Sequence, residues 1–139
     1  MPSIRYQRLA SELLPLANKF YKSQRSPMRV GRSEQVWVAQ QAGIIAACCL
    51  KPVADGHWLT ALLVAREQRQ QGIASQLLNE LRAHSQGPIW LFCAPELLSF
   101  YQCLGFAPCP ALPAELTERL LRYQRKQPLL ALASPPQCG

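Results

Sequence analysis

Hydrophobic residues repeat with two different periods along this chain, and each change of period marks a new element. Residues 4–9 alternate apolar and polar side chains, the pattern of a half-buried strand. Leu13, Leu14, Leu16, Ala17 and Phe20 then fall on one side of a helix, with Ser11 placed to cap it. Pro15 lies in the first turns, so this helix is expected to begin late or to bend. The basic stretch over residues 22–32, with Ser26 and Pro27, reads as a loop. Residues 35–41 and 44–50 predict two strands joined by a tight turn at Ala42 and Gly43. Residues 52–56 supply the next turn, and residues 58–64 the next strand.

Residues 72–84 predict an amphipathic helix that stops at basic groups followed by Gly87 and Pro88. Residues 89–93 are almost all apolar, as befits a central strand covered on both faces. Pro95 can open a helix carrying Leu97, Leu98, Tyr101 and Leu104. Beyond Phe106 the chain is rich in proline up to Pro113. A helix over residues 114–126 and a strand over residues 129–133 follow, and residues 134–139 are expected to form a loose tail. The order predicts an α+β fold in α/β/α layers, with a mixed, twisted central sheet of about six or seven strands flanked by helices. At 139 residues the expectation is one domain, residues 1–133, ahead of the tail.

The segment from Leu62 to Leu78 carries the clearest chemistry. An apolar strand ends in Leu62, Leu63 and Val64, a basic and amide-rich turn follows, and Gly72 opens a helix with Ile73, Leu77, Leu78 and Leu81. The first turn of a helix presents unpaired N–H groups and partial positive charge, which suits an anion. Gly72 has no Cβ to keep a bulky diphosphate away from the backbone. Arg66 and Arg69 add long-range attraction. Neither G-x-x-x-x-G-K nor G-x-G-x-x-G is present, so this is not a P-loop or a dinucleotide fingerprint.

Arg69, Gln70, Gln71, Gly72, Ile73 and Ala74 resemble the R/Q-x-x-G-x-G/A signature of the GNAT (Gcn5-related) N-acetyltransferases. A second resemblance lies in Tyr101, four residues before the pair Gly105 and Phe106. The two motifs and the strand between them cover about a third of the chain. The resemblance implies a GNAT-like acyl-CoA N-acyltransferase fold with acetyl-CoA as co-substrate. It places the diphosphate on Arg69, Gln70, Gln71, Gly72, Ile73, Ala74 and Ser75. The pantetheine arm would run along Leu62, Leu63 and Val64, with the Leu63 N–H on the thioester oxygen. Tyr101 would protonate the departing thiolate, and Ser99 would touch the coenzyme or simply face solvent. Family members often carry a glutamate in the strand feeding the turn, and residues 57–62 contain no carboxylate. His57 is the nearest group that titrates near neutrality and is the candidate base. Glu34, Asp55 or a water relay to backbone carbonyls are the alternatives, and Cys93 could line the thioester channel or pack in the core.

Charge and cysteine content alter this picture little. The net charge is +7, from fifteen basic and eight acidic side chains. A polyphosphate-bearing cofactor benefits from such a field. No basic run interleaved with aromatics is present, so no nucleic-acid partner is expected. The six cysteines and two histidines lack metal-ligand spacing, so no metal is expected, and buried reduced thiols are the reading. Cys48 and Cys49 should point to opposite faces of their strand. With no secretory core segment and no apolar run near the ~18–20 residues a bilayer requires, a cytoplasmic protein without a membrane partner is expected. The function implied is N-acetylation of a primary amine on a small molecule or peptide, by direct attack in a ternary complex, with the protein a monomer or homodimer. The alternative is a catalytically weak acetyl-CoA-binding regulatory protein acting on a partner. Asp55, Glu34 and Glu96 could hold a cationic amine.

Overall fold

The computed structural model describes residues 3–31 and 33–134. Seven strands form one mixed sheet in the order β1-β2-β3-β4-β5-β7-β6, with helices flanking it. The strands are β1 (Arg5–Arg8), β2 (Gln35–Gln40), β3 (Ile44–Val53), β4 (Gly56–Val64), β5 (Ile89–Cys93), β6 (Ala107–Pro108) and β7 (Leu130–Ser134). The helices are α1 (Leu14–Ser23), α2 (Ile73–His84), α3 (Leu98–Cys103) and α4 (Ala114–Gln124). Contacts divide the chain into two compact units, residues 1–51 with 59–85 and residues 52–58 with 86–139. No helix among the described residues is long and apolar enough to cross a membrane.

In the first unit both faces of the sheet are covered, which explains why β2 and β3 are buried almost throughout. Val36 and Val38 of β2 and Ala47 and Cys49 of β3 pack with Ala17, Phe20 and Tyr21 of α1. The intervening Trp37 turns the other way, with its ring 5.7 Å from that of His84 on α2. Cys48 is the strand partner of Trp37, so the two adjacent thiols do face opposite sides. The amphipathic period of α2 buries Ile73, Ala74, Leu77, Leu78 and Leu81.

In the second unit β4 and β5 run parallel through the pairs His57–Ile89 and Trp58–Trp90. β7 pairs antiparallel with β5 on one side and with β6 on the other. Leu116 of α4 is fully buried in a cluster with Val53, Trp58, Trp90, Cys109 and Ala133. Above it the Arg119 guanidinium lies over the Trp58 ring, 4.8 Å from its centre, a cation–π contact.

Several local expectations are corrected. Ser11 does not cap α1: residues 11–13 form a 3-10 turn, the α-helix starts at Leu14, and its cap residue Leu13 offers no side-chain hydrogen bond. Pro15 sits in the first turn, where a missing N–H costs nothing, so no bend is needed. Leu13 and Leu16 are 45% and 44% exposed because α1 buries the stripe of Ala17, Phe20 and Tyr21 instead. Pro52 belongs to β3, and the turn into β4 is only Ala54 and Asp55. The strand β6 is an addition to the expected elements, since two residues carry no readable period. Cys103 is exposed while Cys48, Cys49, Cys93 and Cys109 are buried. Ser134, expected in the tail, is the buried last residue of β7. The rest of that tail, with Cys138, lies outside the described residues.

Close backbone approach at the start of β4 gives a stability test. A Cβ on Gly56 would collide with the Pro88 carbonyl and with the Trp90 ring, whereas one on Gly43 would meet nothing within 4 Å. Gly56→Ala is expected to lower the unfolding free energy by about 1–3 kcal/mol through overpacking. Gly43→Ala should change it by less than about 0.5 kcal/mol. Urea denaturation of the two variants checks the contrast.

Candidate functional site

The turn between β4 and α2 is built by side chains that bind backbone. The Ala65 N–H donates to the Ile45 carbonyl at 2.7 Å, which anchors the end of β4 to β3. Residues 66–68 close a 3-10 turn, with the Gln68 N–H on the Ala65 carbonyl at 2.9 Å. Gln24, just past α1, accepts from the Arg66 N–H at 3.0 Å through Oε1. Arg69 folds back so that its Nε donates to the Val64 carbonyl at 3.1 Å. Gln70 and Gly72 both have left-handed backbone, at φ 65° and 76°. The conformation accounts for glycine at position 72, since its missing Cβ would have met only open space.

That open space lies at the start of α2. Gln76 donates to the Gly72 carbonyl at 3.1 Å, closing the first helical turn. The N–H groups of Ile73, Ala74 and Ser75 precede it, and no side chain caps them. With Arg66, Arg69, Gln70 and Gln71 all exposed around them, these groups fit a phosphate-bearing ligand. Upstream, Leu62, Leu63 and Val64 are half-buried, and the residue before them, Ala61, has φ 56° in mid-strand. The sequence motif thus becomes a single surface at the end of β4 and the start of α2.

In the second unit α3 carries Tyr101. Its ring meets Phe100 edge-on at 5.0 Å and Phe106 at 6.0 Å, so the phenol is fixed between two aromatic neighbours. The Tyr101 carbonyl accepts from the N–H groups of Leu104 and Phe106, both at 3.0 Å, which ends the helix and sets the turn through Gly105. Ser99 is exposed on the same short helix.

The profile of a protein family described as the acetyltransferase (GNAT) domain matches residues 32–108, more than half of the chain and inclusive of both motifs. The chain belongs to the GNAT acetyltransferase family. No curated protein matches the sequence significantly. Solved GNAT structures share the fold at low identity. Tetrahymena GCN5 matches with a TM-score of 0.70 and 15% identity, over 91% of this chain and 94% of its own. Escherichia coli ElaA gives 0.65 and 15% over 96% and 99%, respectively. Arabidopsis thaliana Naa50, solved with the bisubstrate analogue CoA-Ac-MVNAL, gives 0.64 and 16% over 95% and 98%.

For this GNAT chain the expected base does not fall beside the expected acid. His57 pairs with Ile89, the first residue of β5, whereas α3 leaves β5 beyond its last residue, Cys93. Four strand residues separate the two ends, about 13 Å at the usual rise. The His57 Nδ1 is enclosed with no hydrogen-bond partner among the described residues, although its main-chain N–H is held by the Pro88 carbonyl at 2.9 Å. His57 stands at the start of β4, as its place in the sequence implies, and the turn into α2 leaves from the other end of that strand. Asp55 is exposed in the turn that enters β4, and Glu96 is exposed ahead of α3. Glu34 is half-buried, binds the Gly31 N–H, and faces Cys49 and Tyr21 in the first unit. Burial raises the Cys49 thiol to about 12, with the Glu34 carboxylate adding to it against the contact with the Tyr21 hydroxyl. Burial raises the Cys93 thiol as well, so both stay protonated at neutral pH.

Burial lowers the pKa of His57, with a hydrogen bond to the Gln86 backbone acting weakly the other way. The unfolded chain therefore takes up the proton more readily. Its contribution to stability is whole above the unfolded value near ~6.5 and is lost as the pH falls through the depressed folded value. His57→Gln is expected to flatten the stability profile between about pH 7 and pH 5, as read by urea denaturation across that range.

Proposed function

We propose that this GNAT protein is an acetyl-CoA-dependent N-acetyltransferase acting on a primary amine of a small molecule or peptide, by direct attack in a ternary complex. The observation that carries the reading is the turn from β4 into α2. Two left-handed residues there precede three uncapped N–H groups, with Arg66 and Arg69 exposed in the same turn. A diphosphate needs such an arrangement: short-range donors from rigid backbone and a positive field from nearby side chains.

Acetyl-CoA supplies a thioester already activated toward an amine. The chain's part is then positioning and charge stabilisation. Arg69, Gln70, Gln71, Gly72, Ile73, Ala74 and Ser75 hold the diphosphate, and Leu62, Leu63 and Val64 align the pantetheine arm through their main chain. The Leu63 N–H donates to the carbonyl oxygen as negative charge develops on it. Tyr101 donates its phenolic proton to the thiolate as the amine displaces it, a role within reach of a phenol. Ser99 supports the coenzyme from the same helix. β4 contains no carboxylate and His57 lies toward its other end, so the amine gives up its proton to solvent through water oriented by backbone carbonyls, and Tyr101 regains its proton from solvent after the thiol leaves. The peptide conjugate bound by the Arabidopsis neighbour keeps peptide amines among the acceptors.

Calorimetry with acetyl-CoA, followed by thiol release over a panel of amines, tests this reading. Binding with turnover supports it. Binding without turnover on any amine transfers support to a regulatory protein acting on a partner, a reading that the missing β4 carboxylate favours. Gly72→Glu is expected to eliminate coenzyme binding while the circular dichroism spectrum stays native, since bulk and negative charge meet the diphosphate. Tyr101→Phe is expected to lower turnover about a hundredfold with the coenzyme Kd within about twofold of wild type.

A further inference from the structure

Tyr21 is fully buried on the inward face of α1, yet it carries a hydroxyl that needs a partner. That hydroxyl donates to the Ala61 carbonyl at 2.8 Å and lies 3.7 Å from the Cys49 sulfur. In a regular strand a carbonyl points within the sheet toward a neighbouring strand. Tyr21 reaches down from a helix that packs on the sheet face, against Val36, Val38, Ala47 and Cys49. Its bond to Ala61 therefore requires that this carbonyl be turned out of the sheet plane.

The backbone supplies the reason. Ala61 has φ 56°, and among the described residues it is the only non-glycine in the interior of a strand with left-handed backbone. A residue with a Cβ is strained there and keeps the conformation only when its surroundings enforce it. Three features make Tyr21 a suitable enforcer. α1 fixes its ring between Phe20, at 5.8 Å, and the strand side chains. Burial raises its phenol well above the ordinary value, so it remains a donor at any physiological pH. The neighbouring Cys49 thiol is also protonated and offers no strong competing acceptor.

We infer that Tyr21 is a positioning residue: its hydroxyl holds the left-handed kink at Ala61 and thereby sets the direction of the N–H groups of Leu62, Leu63 and Val64. The consequence for coenzyme binding rests on the proposed function, whereas the clamp itself does not. Glycine occupies the left-handed region without strain, so a kink at a glycine needs no clamp. Four proteins separate these statements: wild type, Tyr21→Phe, Ala61→Gly and the double variant.

In the alanine background Tyr21→Phe is expected to weaken acetyl-CoA binding about tenfold, the equivalent of one lost hydrogen bond. In the Ala61→Gly background the same change should alter Kd by no more than about twofold. A residue that only fills the core would reduce Tm equally in both backgrounds and leave Kd unmoved, and that result overturns the inference. If wild type binds no acetyl-CoA, the functional reading fails, and the clamp is judged on unliganded Tm values. A smaller Tm loss in the Ala61→Gly background then supports it, and equal losses overturn it. A Tyr21→Phe protein that folds only with Ala61→Gly is also support. Failure to fold in both backgrounds shows that the hydroxyl serves more than the kink and overturns the assignment.

Discussion

A single bond between a buried phenol and a turned carbonyl governs the end of β4. Strands are stable because their peptides point at a neighbour, and a left-handed residue in mid-strand interrupts that pairing. Here it falls at Ala61, whose carbonyl accepts the hydroxyl of Tyr21 from α1. The residues beyond Ala61 are tied down in the same manner. Gln24 holds Arg66, Arg69 returns to Val64, and Ala65 bonds across to Ile45. The α1 helix and its exit loop thus brace the segment that leads into α2, although they carry no residue of the GNAT motif.

The motif itself was legible because its parts are local. An apolar strand, a turn with Gly72 and a helix of period 3.6 can be read from consecutive residues, and the fold of the first unit follows from the same alternation. Tyr101 is singled out by a family resemblance that rests on its spacing to Gly105 and Phe106, and its ring lies edge-on to those of Phe100 and Phe106. What escaped were properties that depend on a partner far away in the chain. Tyr21 lies outside the apolar positions read for α1, and no residue type marks Ala61, because alanine is an unlikely choice for left-handed backbone. His57 is a candidate for its titration range alone, although its place at the start of β4 already sets it away from the turn. Leu13 and Leu16 misled for a related reason: a helix with more apolar residues than one stripe can bury must leave some in water.

Charge enters at two scales. The excess of basic side chains gives a diffuse attraction for polyanions, which is screened within about 8–10 Å at ordinary ionic strength. The uncapped N–H groups at the start of α2 act only at contact, where direction matters more than net charge. A surface of arginines without the turn would attract phosphate and hold it poorly. The turn without the arginines would still recognise its ligand, at the cost of slower capture.

The order of strands in the second unit bears on how the polypeptide is made. β7 lies between β5 and β6, so a later strand fills a slot left by two earlier ones. Until residues 130–134 leave the ribosome, one edge of the apolar β5 has no partner, and β6 has nowhere to pair. At the usual pace of translation this interval lasts on the order of seconds. A bare apolar edge invites pairing with another chain. Helix α4 is made within that interval, and Leu116 can then cover the cluster that contains Trp90 while the edge of β5 is still bare.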